Sequence, residues 1–194
     1  TQTLLLGSMT TAQILTDFLP SIFLDVDIKI EGIVGKKIIY VDDTVPVADS
    51  NYGLHLPLGI NGYFTLEEGL AVAKKTGKPV FVDVTGHGCV NCREMESRVW
   101  SDPQVLDMLK NDFVIVALYT DDKQKLDKED WVTDAETGKV YKDLGRANSY
   151  IARSKWDVNA QPNYVLLSPE GEMLVPVRGY DLSVEGFTEF LKSG

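Results

Sequence analysis

Two short and almost entirely apolar segments place the strongest constraint on the fold of this 194-residue chain. They are PVFVDV at residues 79–84 and FVIVALYT at residues 113–120. An uninterrupted apolar run of this length is typical of a central strand that is covered on both faces, whereas a half-exposed strand alternates apolar and polar residues. The chain is therefore expected to contain a sheet with helices on both of its faces.

Helical patterns flank both predicted strands. A capping box of Thr65 and Glu68 opens the first helix, and Gly77 followed by Pro79 ends it. Because strands and helices alternate, the expected fold class is α/β, with a central mixed sheet and helices on both faces. The other predicted helices lie at 89–100, 101–112, 146–156 and 183–193, a closing hairpin lies at 163–179, and a charged, exposed excursion lies at 121–144.

Residues 1–50 are expected to form an N-terminal extension and linker, followed by one domain at residues 51–194. Within the extension the pattern predicts a helix around 14–22 and two short strands at 26–41. The polar segment 42–53, with its Pro and Gly, is typical of a linker.

The apolar character of residues 1–24 raises the question of a membrane segment. Gly7, Asp17 and Pro20 interrupt it, so it lacks the roughly 20 consecutive apolar residues needed to span a bilayer. A basic start and an A-x-A cleavage site are also missing, so the pattern is not that of a signal peptide. We expect a soluble or interfacial segment, or the trimmed edge of a longer parent chain.

The charge balance bears on the class of partner. The chain carries 19 basic and 29 acidic residues, which gives a net charge of −10. Nucleic acids and anionic membrane surfaces reward clusters of Lys and Arg, so this composition argues against both as partners.

The chain contains only two cysteines, Cys89 and Cys92. Two cysteines are too few for a disulfide-stapled scaffold, and a disulfide that closes so short a loop restricts the unfolded chain very little. The pair therefore calls for a chemical role.

Three other roles compete with a catalytic dithiol. Zinc would need His87 and perhaps His55 as further ligands, but a structural zinc site shows its ligands at recognisable spacing, and His87 lies only two residues before Cys89. Haem attachment needs a His directly after the second cysteine, where Arg93 stands. An inert structural pair is the third alternative. We favour the dithiol.

The position of the pair, just after a strand and at the start of a helix, suits thiol chemistry. Cys89 is expected at or near the helix N-cap, where free N–H groups and the helix dipole stabilise a thiolate. Cys92 lies one turn further on and points to the same side. A thiolate at Cys89 would attack a partner's disulfide, and Cys92 would then attack Cys89 and release the reduced partner.

Two acids accompany the thiols. Asp83 lies in an otherwise apolar strand, where an unpaired carboxylate is costly, and it is expected beneath the dithiol to handle the proton of Cys92. The alternative is a strand-end Asp bonded to loop amides. Glu96, one turn past Cys92, faces either the dithiol or water. Carboxylates near the thiols raise the pKa of a cysteine and oppose the helix dipole.

A second element is the proline that directly precedes the strand NYVLL. A proline at the start of a strand, here Pro162, adopts either the trans or the cis form, and the cis form would hold Gln161 against a neighbouring site.

Together these pieces resemble the thioredoxin superfamily: the strand VFVDV, the Cys-Val-Asn-Cys motif at the start of a helix, Pro162 before a strand, and the closing hairpin and helix. The segment DVTGHGCVNCREMESRVWSDPQVLDML, residues 83–109, is similar to the C-terminal periplasmic domain of the thiol–disulfide interchange protein DsbD. The shared features are the Cys-Val-x-Cys motif, the acid four positions after its second cysteine, and the following Ser-Asp-Pro helix.

The resemblance implies a thioredoxin-like fold and assigns roles to the residues that match. By that resemblance Cys89 attacks, Cys92 resolves, Asp83 is the buried acid and Glu96 is the second acid that modulates the cysteine. Pro162 is implied to be a cis-proline beside the active site. The residues expected to contact the partner protein are Gly88, Val90, Asn91, Gln161 and Pro162.

This chain also departs from the thioredoxin pattern. Gly88 stands where thioredoxins usually carry Trp, and Asn91 stands where they carry Pro. The TGHG segment introduces His87, a base near the thiol with no assigned role.

The expected function is a protein-disulfide reductase domain of the DsbD type. The resemblance implies electrons received from a membrane-embedded domain of the same protein and passed to periplasmic thiol proteins, at the periplasmic side of a bacterial membrane. No metal and no cofactor is expected beyond the redox-active disulfide Cys89–Cys92. The alternatives are a free-standing thioredoxin-like reductase or isomerase, and a metal-binding or partner-binding module on the same fold.

Overall fold

The computed structural model describes residues 52–194. The helix predicted at 14–22, the strands predicted at 26–41 and the expected domain boundary near residue 50 lie outside the described residues. Among the described residues, no helix is both long and apolar enough to cross a membrane.

The sheet has four strands in the order β2-β1-β5-β6. β1 pairs with β2 in parallel, while the β1–β5 and β5–β6 pairs are antiparallel, so the prediction of a mixed sheet is confirmed. A separate two-stranded sheet joins β3 and β4. The strands are β1 (Val80–Thr85), β2 (Val114–Tyr119), β3 (Val132–Thr133), β4 (Val140–Tyr141), β5 (Asn163–Leu167) and β6 (Arg178–Gly179).

Local sequence signals set the helix ends as predicted. Thr65 accepts the backbone N–H of Glu68 at the start of α1, and Gly77 ends this helix with a φ of 68°, a conformation that glycine adopts without strain. The helices are α1 (Leu66–Thr76), α2 (Val90–Met95), α3 (Pro103–Asn111), α4 (Leu144–Trp156) and α5 (Val184–Lys192).

The helical stretch predicted from the cysteines to Trp100 has a change of pitch inside it. α2 ends at Met95 and continues directly as a π-helical segment, Glu96–Trp100. Such wide turns are rare and occur often at functional sites. The change begins at Glu96, one of the two predicted site acids.

Helices cover both faces of the sheet, as expected. Side chains of β1 alternate between the layers: Phe81 joins the cluster that includes α2, α3 and α5, whereas Val82 joins the cluster that includes α1 and α4. Asp83 and Thr85 follow the parity of Phe81, so their side chains point toward the layer that contains the dithiol helix.

Two elements differ from the sequence expectation. The second strand of the closing hairpin, expected over 173–179, is reduced to Arg178–Gly179 and an isolated bridge at Met173. Pro176 has no N–H to donate to a ladder, which explains the interruption. α4 starts two residues early because Asp143 caps it by accepting the N–H of Arg146.

The charged excursion is also less exposed than expected. Leu126 and Tyr141 are buried in a cluster with Leu144 of α4, and β3 and β4 pair within this segment. Apolar side chains spaced among the charges therefore attach the excursion to the core.

Candidate active site

Cys89 is the N-cap of α2, as predicted. Its sulfur accepts the backbone N–H of Cys92 at 3.1 Å, and the two cysteines form a disulfide with a Cα–Cα distance of 5.3 Å. The N-cap position directs the free amides of the first turn toward this sulfur, which favours a thiolate there in the reduced form.

The dithiol lies just below the surface. Cys89 is 7% exposed and Cys92 2%, whereas Val90 between them is 78% exposed. Gly88 and Asn91 are exposed as well. Three of the five residues predicted to contact a partner are thus exposed around the buried sulfurs.

The loop that leads into Cys89 is held by a carboxylate from the end of β2. Asp121 accepts the backbone N–H of His87 through Oδ1 at 2.8 Å and that of Gly88 through Oδ2 at 3.0 Å. Partial burial opposes the ionisation of Asp121, but these two amides and the nearby His87 outweigh it and lower the pKa of Asp121. The carboxylate bonded to the loop amides is therefore Asp121, and not Asp83 as the alternative interpretation supposed.

His87 now has defined contacts. Its Nε2 lies 2.8 Å from Oδ2 of Asp122, and its ring stacks on Tyr119 with a centroid distance of 4.5 Å. Asp122 directly follows Asp121. Asp121 therefore holds the backbone of the loop, and its neighbour Asp122 holds the side chain of His87. Among the described residues, no group of three or more His, Cys, Asp or Glu is placed to hold a metal ion.

Gln161 and Pro162 lie beside the same loop. The Gln161–Pro162 peptide bond is cis, as the resemblance implied. The side chain of Gln161 accepts a hydrogen bond from Oγ1 of Thr120 at 2.9 Å, and it packs against Gly86, so closely that a Cβ there would lie 2.5 Å from Oε1.

Asp83 is buried inside the sheet, with 2% of its surface exposed and no hydrogen-bond partner for Oδ1. Burial raises its pKa to about 8, and the charge of Glu96 adds to this, while Arg93 and a hydrogen bond with Thr85 act in the opposite direction. At neutral pH Asp83 is therefore mostly protonated, and it exchanges a proton near physiological pH.

The side chain of Glu96 faces the interior of the domain, so the alternative in which it faces water is wrong. It is 7% exposed, and burial raises its pKa while the charge of Arg93 lowers it. Nη2 of Arg93 lies 2.7 Å from Oε1 of Glu96 and 3.4 Å from Oγ1 of Thr85. Glu96 and Asp83 interact electrostatically, so the two predicted acids belong to one buried group.

Sequence reasoning missed several residues of this site, among them Arg93, Asp121 and Thr120. Arg93 carried a local signal, because residues three apart on a helix face each other and Glu96 follows at that spacing. Asp121 and Thr120 carried a weaker signal, since β1 and β2 are parallel and polar residues at their carboxyl ends meet at one edge of the sheet.

Comparison with known proteins addresses the fold. The family model of the thioredoxin-like domain matches residues 66–194. No curated protein matches the chain by sequence. A solved structure of a DsbH oxidoreductase is similar, with a TM-score of 0.51 and 17% identity over 75% of this chain and 93% of that chain.

Two further solved structures resemble the chain. A thioredoxin from Thermus thermophilus has a TM-score of 0.48 and 22% identity, covering 68% of this chain and 84% of that chain. The oxidised C-terminal domain of DsbD from Neisseria meningitidis has a TM-score of 0.42 and 17% identity, covering 66% of this chain and 96% of that chain. The family match, together with the mixed sheet and the Cys-x-x-Cys pair at a helix N-cap, leads to one conclusion: this chain belongs to the thioredoxin-like domain family.

Proposed function

We propose that this chain is a protein-disulfide reductase domain that acts through the Cys89–Cys92 pair. In the reduced form, the Cys89 thiolate attacks one sulfur of a partner's disulfide, and the partner's other sulfur leaves as a thiolate. Cys92 then attacks Cys89, which restores the Cys89–Cys92 disulfide and releases the partner as a dithiol. The pair loses two electrons and the proton of Cys92, and the partner gains the two electrons. A second proton from solvent completes the partner's dithiol, and no further cofactor takes part.

Asp83 is the group that exchanges the proton of Cys92. Proton transfer is most effective when the pKa of the acceptor lies near the working pH, and the pKa of Asp83, raised by burial to about 8, meets that condition. Cys92 must lose its proton to attack, so the ionised fraction of Asp83 receives it. The reverse transfer occurs when the domain itself is reduced.

The observation that carries the reductant assignment is the buried acid pair Asp83 and Glu96 in the layer that contains the dithiol helix. Negative charge near a thiolate destabilises it, so the ionised member of the acid pair disfavours the reduced, ionised form of Cys89. A pair whose reduced form is less stabilised has a lower reduction potential, in contrast to strong oxidants, whose reduced form is stabilised. These acids therefore favour a donor of electrons.

The DsbD-type relay is the physiological setting that we propose. In it, a membrane-embedded domain of the same protein reduces Cys89–Cys92, and periplasmic thiol proteins accept the electrons. The support is the residue pattern of segment 83–109, together with Val90 and Asn91 exposed beside the thiols for partner contact.

The test is the reduction potential of the full chain, measured by equilibration with thiol–disulfide buffers and alkylation of free thiols. We expect a value nearer the about −270 mV of thioredoxin than the about −120 mV of a strong oxidant. In Cys92→Ala, the mixed disulfide at Cys89 persists, and mass spectrometry identifies the trapped thiol proteins. A pair that does not cycle between dithiol and disulfide, or that equilibrates as a strong oxidant, rejects the proposal.

A further inference from the structure

Arg93 bridges the surface and the buried acids. Its side chain is 45% exposed, whereas the side chain of Glu96, 2.7 Å away, is only 9% exposed. The same guanidinium reaches Thr85 at the end of β1, at 3.4 Å. Arg93 directly follows Cys92 in α2.

We propose that Arg93 is a positioning residue of the dithiol site, whose guanidinium holds Glu96 ionised and turned inward, so that the proton of the acid pair resides on Asp83. The inference rests on the proposed function for its catalytic meaning. It extends that function by naming Arg93 as the residue that keeps one acid of the pair charged and leaves the other neutral.

The physical reason is the cost of a buried charge. A carboxylate removed from water without a partner is strongly disfavoured and takes up a proton instead. Two interacting buried acids titrate as a pair, because ionisation of one disfavours ionisation of the other. A positive charge in contact with one acid favours the ionised form of that acid. Arg93 contacts Glu96 directly. Burial and the charge of Glu96 both influence the pKa of Asp83 more than Arg93 does.

The other titratable groups around the pair do not supply a positive charge. Asp83 comes from β1, Tyr119 from β2 and Tyr164 from β5, and each of these groups is coupled electrostatically to Arg93. Within the part of the chain that the structure describes, Arg93 is the one cation that acts on both Asp83 and Glu96. Removing its charge leaves the acids without a counter-ion.

A neighbouring ion pair provides a matched control. Arg98 lies 2.9 Å from Glu94, almost the same separation as in the Arg93–Glu96 pair, but its side chain is 60% exposed and that of Glu94 35%. Glu94 also accepts a hydrogen bond from Tyr180. An exposed pair of this kind is screened by water and has little influence on the interior.

The experiment is a pH titration of the Glu96 carboxyl carbon by ¹³C NMR in the oxidised full chain, for wild type, Arg93→Gln, Arg93→Lys and Arg98→Gln. We expect Arg93→Gln to move the Glu96 midpoint upward by about 1 pH unit or more, the usual effect of removing an opposite charge at contact distance. Arg93→Lys keeps the charge, so its Glu96 midpoint should stay close to that of wild type. Arg98→Gln should leave the Glu96 midpoint unchanged.

An unchanged Glu96 midpoint in Arg93→Gln overturns the inference, as does an equal shift in Arg98→Gln. If Arg93→Gln does not fold, Arg93→Met takes its place, because methionine also removes the charge while it keeps an unbranched side chain. A Glu96 midpoint in Arg93→Met equal to that of Arg98→Gln then rejects the inference. The titration uses the oxidised protein and requires no exchange activity. Failure of the reductase proposal therefore shows in the reduction potential, and failure of this inference in the Glu96 midpoint.

Discussion

The amide of Gln161 lies against Gly86, and this contact joins the loop before the dithiol to the loop that carries Pro162. A Cβ on Gly86 would lie 2.5 Å from Oε1 and 2.7 Å from Nε2 of Gln161. Thr120 holds the amide in place through its hydroxyl, 2.9 Å from Oε1. The absence of a side chain at residue 86 is therefore what allows three segments to meet beside Cys89.

We expect Gly86→Ala to displace the Gln161 amide and break its hydrogen bond with Thr120. The unfolding free energy should fall by about 1 kcal/mol, the net value of such a hydrogen bond, and the rate of disulfide reduction should fall with it. Chemical denaturation and an exchange assay with a model disulfide measure the two effects.

A double-mutant cycle isolates the contact. Adding Gln161→Ala to Gly86→Ala removes the clash, so the two changes should be strongly non-additive in the unfolding free energy. Gly88→Ala is the control for stability, because its Cβ would meet only Oδ2 of Asp121, at 3.7 Å. Additive effects of the two changes would show that the contact has no energetic weight.

Asp83 should make the protein less stable as the pH rises. Burial, with the charge of Glu96, raises its pKa from 3.8 to about 8, so between these values the folded chain holds a proton that the unfolded chain has released. The stability from this group is complete below about pH 4 and is lost as the pH rises through about 8, with a slope of about 1.4 kcal/mol per pH unit.

Asp83→Asn removes the ionisable group while it keeps the size of the side chain. We expect a flatter pH dependence of the unfolding free energy and a more stable protein at pH 8, together with a shifted thiol titration of the cysteines. Asp107→Asn, an exposed position on α3, serves as the control. Parallel stability curves for wild type and Asp83→Asn between pH 5 and pH 8 would contradict the assignment.

Asp121 should stabilise the loop that positions Cys89. Asp121→Ala leaves the N–H groups of His87 and Gly88 to water, so we expect a loss of about 1 kcal/mol in stability and slower exchange at Cys89. Asp127→Ala is the matched control, since Asp127 precedes the short 3₁₀ helix Lys128–Asp130 and makes no side-chain capping bond there. An exchange rate at the wild-type level in Asp121→Ala would show that the loop keeps its position without this carboxylate.

Val90 should contribute to partner binding and not to folding. It is 78% exposed next to Cys89, so Val90→Ser should change the unfolding free energy by less than about 0.5 kcal/mol. With a protein disulfide as substrate, we expect a higher KM and a nearly unchanged kcat. Val140→Ser, at a 39% exposed position on β4, provides the comparison. A KM that responds equally to both changes would remove Val90 from the docking surface.

Local patterns determined much of this protein. Apolar runs predicted β1 and β2, and capping residues such as Thr65 and Asp102 set helix starts. The position of the cysteines just after a strand and at the start of a helix predicted Cys89 at an N-cap. These signals act between residues a few positions apart, so they are readable in a linear sequence. The domain assignment at residues 51–194 and the roles of the site residues stay predictions.

Tertiary structure decided what surrounds the thiols. Asp121 meets His87 across 34 positions of the chain, and Thr120 meets Gln161 across 41. Glu96 opens the π-helical segment, and its carboxylate contacts Arg93. Periodicity and capping fix which residues form an element, but the packing of parallel strand ends and loops decides which side chains meet there, because those contacts join segments that are distant in the sequence.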